Sequence, residues 1–110
     1  MFGRSIFGIG FYVPQYSQKT EISINDSLSR MAFFNRIESY SEAEDVVTNT
    51  RPYIHSDTAF SYFYISAQTA TGLMAYDSAV VRYQRAFEID STRSQVKQKL
   101  AIALANNNDI

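Results

Sequence analysis

Two four-residue strings of one form stand 36 residues apart, Tyr40-Ser41-Glu42-Ala43 and Tyr76-Asp77-Ser78-Ala79, each reading aromatic, polar, polar, alanine. A repeat constrains a chain more than any single residue does. A unit of roughly 20–50 residues cannot bury its apolar face alone, so it must stack on its neighbour. With 110 residues there is room for one domain and a short stack.

From Ile24 onward the apolar spacing is helical. A first helix is expected from Asn25 to Ile37, with Leu28, Met31, Ala32 and Phe34 as its apolar set. A second opens on Ser41-Glu42-Ala43-Glu44, where the Ser41 hydroxyl would accept from the amide of Glu44, and it runs to about Thr50, ahead of Pro52. A third runs from Asp57, a suitable N-cap, to Gly72, and a fourth from Tyr76 to Ile89. A fifth follows a second capping box, Thr92-Arg93-Ser94-Gln95, and fades in Asn106-Asn107-Asn108. The short connections make neighbours antiparallel. Ala79, Tyr83 and Ala86 share one helical stripe, and the two small residues let a partner helix approach closely. The expected core is Leu28, Ala43, Val47, Phe63, Ala67, Ala79, Tyr83, Ala86 and Leu100, with Lys97, Gln98 and Lys99 on the polar outer side of the last helix.

The first twenty residues are a different kind of chain. Gly3, Gly8, Gly10 and Pro14 fall there among Phe2, Phe7, Phe11, Tyr12 and Tyr16. Phe7, Ile9, Phe11 and Val13 share a face at period two, so an extended apolar arm over residues 1–20 is expected, followed by a helical domain over 21–110. The run Ile6–Val13 holds two glycines, stops at Pro14 and lacks a small-x-small cleavage site, so neither an export signal nor a membrane span is expected. The arm would dock on the helical array, in its own chain or in a second copy, which would make a homodimer.

Composition excludes much chemistry. The net charge of −1 leaves no cationic surplus for a polyanion, so no nucleic-acid partner is expected. With no cysteine and one histidine there is no thiolate nucleophile, disulfide or multi-histidine metal site. His55-Ser56-Asp57 are sequence neighbours in a loop, and a catalytic triad needs a scaffold to hold it, so no catalytic residue is assigned. Glu42, Glu44 and Asp45 are read as carboxylates at the positive end of a helix, and Arg82, Arg85 and Arg93 as members of a solvated, charge-balanced face. No enzyme activity, cofactor or metal is expected. The lack of cysteine and of an export signal favours the cytoplasm.

Residues 60–93 resemble a tetratricopeptide repeat. Tyr76, Ala79, Tyr83 and Ala86 fall where that family places its Tyr, Ala, aromatic and Ala, Phe63 takes the Trp position and Ala67 the small-residue position. Ser66, Ala70 and Ser91 depart from the family's Leu, Tyr and Pro. A degenerate unit over 24–59 precedes it, and a lone first helix with Leu100, Ala101 and Leu104 follows. The resemblance implies an all-α fold of stacked antiparallel hairpins, about two plus a final helix, with the extended arm in front. It also implies a groove lined by the first helices. Carried over, Ser61, Tyr64, Gln68 and Thr71 and then Gln95, Gln98, Ile102 and Ala105 face that groove, which reads as neutral with Tyr64 and Ile102 as apolar anchors. Family members that clamp a terminal carboxylate use Lys and Asn there, and these positions hold neither. The implied function is an interaction module, an adaptor or chaperone holding an extended or helical segment of a protein partner. Short secretion-system chaperones are similar in architecture. The alternative is a structural subunit that docks through its arm.

Overall fold

Helices account for nearly all of the described chain. The computed structural model describes the backbone of residues 12–108 and the side chains of residues 24–108. The helices are α1 (Tyr12–Arg36), α2 (Tyr40–Thr50), α3 (Ser56–Gly72), α4 (Tyr76–Ile89) and α5 (Ser94–Asn108), with a single 3₁₀ turn, Arg51–Tyr53, after α2. Among the described residues there is no strand, and no helix is long and apolar enough to cross a membrane. The chain is all-α.

Several boundaries follow local chemistry. Pro52 ends α2 by removing an amide and is accommodated in the 3₁₀ turn. The fourth helix has the bounds its sequence pattern gives. At the start of the chain the helix begins at Tyr12 rather than Asn25, so residues 12–20 belong to α1 and not to an extended arm. Pro14 falls in the first turn of α1, where a missing amide costs nothing, so it does not stop the helix. Phe7, Ile9, Phe11 and the side chain of Val13 lie outside the described residues, and so does arm-mediated docking.

The two capping boxes do not form. The N-cap of α2 is Ser39, with Ser41 already inside the helix. The Thr92 hydroxyl donates to Asp90 Oδ1 at 2.6 Å instead of capping α5, and the Thr92 amide reaches the same oxygen at 3.1 Å. With Arg93 Nε 3.1 Å from Oδ2, these bonds hold the Asp90 carboxyl below the usual range, the Thr92 hydroxyl contributing most. The N-cap of α3 is His55, and Asp57 sits in the first turn.

The 36-residue repeat reappears in the backbone. α1 turns into α2 through Glu38 at φ 62°, and α3 into α4 through Met74 at φ 61°. Ser39 N donates to Phe34 O at 2.8 Å, and Ala75 N to Ala70 O at 2.9 Å. The bonds Ile37 N to Phe33 O, Glu38 N to Asn35 O and Ala43 N to Ser39 O have counterparts in Leu73 N to Thr69 O, Met74 N to Thr71 O and Ala79 N to Ala75 O, at 2.9–3.1 Å throughout. A left-handed residue after a helix, followed by these backward bonds, satisfies the carbonyls left open at the helix end. Both hairpins therefore turn by one device.

The helices stack in chain order: α1 packs on α2 and α3, α3 on α2 and α4, and α4 on α5. One core cluster joins Met31, Val46, Val47 and Tyr62. The other joins Ala67 and Ala70 of α3, Ala79 and Tyr83 of α4 and Ala103 of α5. Of the expected core, Ala43, Val47, Ala67, Ala79, Tyr83 and Ala86 are buried, while Leu28, Phe63 and Leu100 are partly so. Met31 and Val96, both fully buried, contribute roughly 1.5–3 kcal/mol each. Gly72 lies against the ring of Tyr40, which a Cβ at that position would overlap. Asn35 ties α1 to α3, donating to Ile65 O at 3.1 Å and accepting from Thr69 Oγ1 at 2.8 Å.

Candidate functional site

The first helices of the two hairpins present equivalent positions to one groove. Ala32, Asn35 and Arg36 of α1 stand 36 residues before Gln68, Thr71 and Gly72 of α3, and all six line a cavity of about 610 Å³. Tyr40, Tyr83 and Lys99 of α5 complete it. The small side chain at Ala32 leaves space, Gly72 lets the Tyr40 ring sit against the backbone of α3, and the helix repeat aligns the rest.

Of the residues assigned to the groove from the sequence, Gln68 and Thr71 line this cavity. Tyr64 packs inward: its ring stacks on Phe60 at 5.9 Å and meets the edge of Tyr83 at 5.8 Å. Ser61, Gln95, Gln98 and Ile102 are exposed and lie outside the lining. Asn35, Arg36, Tyr40 and Lys99 were not in the sequence-based set. Their place depends on how α1 and α5 sit against α3, and the only available signal was the 36-residue equivalence of Asn35 and Arg36 with Thr71 and Gly72.

The groove is not neutral. Among the described residues its lining carries Arg36 and Lys99 and no carboxylate. Among the described residues neither cation is in a salt bridge. Burial pushes the Tyr83 phenol up to about 12, the Thr71 hydroxyl pulling it back and Tyr64 adding to the rise, so at neutral pH Tyr83 keeps its proton. Thr71 Oγ1 donates to Ala67 O at 2.9 Å, and the Asn35 amide is occupied by Ile65 and Thr69. Arg36 and Lys99 therefore make the described lining cationic.

On the other side of α3, Arg82 differs from the solvated arginine its neighbours suggest. Its guanidinium grips Glu44 through two bonds of 2.9 and 2.8 Å and donates a third to Ser66 O at 2.9 Å. The pair ties α2, α3 and α4 together, and the bond to Glu44 raises the arginine pKa further. Tyr62 adds a buried bond from its hydroxyl to Val47 O at 3.0 Å, and burial raises its pKa. Arg85–Glu88 at 3.9 Å and Arg93–Asp90 at 3.1 Å are the exposed kind of pair, worth little alone. His55 is exposed, and its carbonyl accepts from the Thr58 amide and hydroxyl.

Compared with known proteins, the chain matches no family model, no curated protein sequence and no solved structure.

Proposed function

We propose that the protein is a non-enzymatic interaction module of tetratricopeptide-repeat type, an adaptor or chaperone that holds a segment of a partner protein in the groove between α1, α3 and α5. The observation that carries this reading is the convergence of equivalent positions, 36 residues apart, on one cavity of segment-binding size. The cationic lining adds a preference. Arg36 and Lys99 favour a segment bearing an acidic side chain, and Ala32 leaves room for an apolar one beside it.

The test is a pull-down with quantitative mass spectrometry, the parent chain against the Arg36→Glu/Lys99→Glu variant. Both positions are exposed, so the fold should survive, as circular dichroism will report. The reading expects a protein enriched by the parent and lost by the variant. Equal recovery of every protein by both chains would refute it.

A further inference from the structure

A second cleft, of about 570 Å³, lies between α2 and α4 with α3 as its floor. It shares no lining residue with the groove. On α3 it uses Tyr62, Phe63 and Ser66, whereas the groove uses Gln68, Thr71 and Gly72, and at about 3.6 residues per turn these sets point to opposite sides of the helix.

Charge is ordered along this cleft. Its centre is closed by Arg82 and Glu44, which satisfy one another. Asp77, Val81 and Arg85 stand on one stripe of α4, four residues apart, so Asp77 and Arg85 mark opposite ends. The Arg85 guanidinium lies 5.1 Å over the ring of Phe63, in the middle of α3. Arg51 and Ile54, which immediately precede α3, line the same cleft. The cleft therefore offers two exposed arginines, Arg51 and Arg85, together with Ile54 and Phe63. The neighbouring Val81 is 60% exposed. Glu88 stands 3.9 Å from Arg85 in a pair exposed on both sides, which a ligand can displace.

We propose that this cleft is a second protein-binding site, for an acidic–aliphatic partner segment. Its acidic side chains meet Arg51 and Arg85, and its aliphatic side chain covers Val81. The site works independently of the groove, so one chain can hold two segments at once.

The test pans a phage-displayed random peptide library on the full chain carrying Arg36→Glu/Lys99→Glu, which removes the groove's cations. The strongest peptide is then synthesised and titrated into ¹⁵N-labelled protein. The expected peptides place Asp or Glu beside Leu, Ile, Val or Phe, and shift the amides of Arg51, Val81 and Arg85. Adding Arg51→Glu/Arg85→Glu should weaken binding at least about tenfold, because like charges then face each other. Arg51→Gln/Arg85→Gln serves as the milder pair should the reversal reduce helix content. Selected peptides without acidic excess, shifts confined to other residues, or an affinity unmoved by both pairs would overturn the proposal.

Discussion

Glu38 and Met74 lie 36 residues apart, hold the same place in successive hairpin turns and share a left-handed backbone, at φ 62° and 61°. Side chains with a Cβ resist that conformation, and glycine does not. Both residues are exposed, so replacing either loses no packing. Glu38→Gly and Met74→Gly should therefore each stabilise the fold, by about 0.5–1 kcal/mol once the greater freedom of glycine in the unfolded chain is counted. Thermal melts would show two increases of similar size. A fall at either site would mean that its turn is not the strained one.

These turns also explain where the sequence was legible and where it was silent. α4 could be bounded to the residue because Tyr76 and Ile89 bracket a clear Ala-Tyr-Ala stripe, and Pro52 marked the end of α2. The turn device was hidden because its left-handed positions hold Glu and Met where glycine would have announced it. The capping boxes misled because Ser41 and Thr92 have the right spacing, yet Ser39 is the N-cap of α2 and Asp90 takes the Thr92 hydroxyl. Arg82 read as solvated because its partners, Glu44 and Ser66, come from two other helices. The groove was half legible: Gln68 and Thr71 follow from the α3 register, but Arg36 and Lys99 enter through helix packing.

Gly72 tests the contact between the hairpins. Gly72→Ala would drive a Cβ into the Tyr40 ring and should cost roughly 1–3 kcal/mol. Tyr40→Ala in the same chain should recover part of that loss, since it removes the obstacle. Denaturant unfolding of the two single variants and the double variant gives the coupling.

Ala79 and Ala86 are both fully buried. Ala79→Leu and Ala86→Leu should each overpack the α4 contacts and cost roughly 1–3 kcal/mol. Unchanged melting of both variants would rule out the close approach.

The Arg82–Glu44 pair should behave as a structural tie. Glu44→Ala leaves a half-buried guanidinium with only the Ser66 carbonyl, so a loss of about 1–3 kcal/mol is expected. A double-mutant cycle with Arg82→Ala should show clear positive coupling, and independent effects would mean that the two residues act separately.

Alkaline titration probes the core around Tyr83. Its folded pKa, pushed up to about 12, lies above the ordinary value of 10.0, so its contribution is complete below 10.0 and is lost as pH rises toward 12. Tyr62 is shifted in the same direction by burial. Stability should therefore fall above pH 10, and Tyr83→Phe should flatten part of that fall.

Site-specific photo-crosslinking shows whether the groove between the first helices receives a partner. A photoreactive residue is placed at Gln68, which lines the groove, and in a second chain at Gln84, which is exposed on α4 and lines neither cavity. Irradiation in cell extract should join one protein to the Gln68 chain and not to the Gln84 chain, and Arg36→Glu/Lys99→Glu should abolish the adduct. Equal crosslinking from both positions, or an adduct at Gln68 that survives the reversed charges, would contradict binding in the groove.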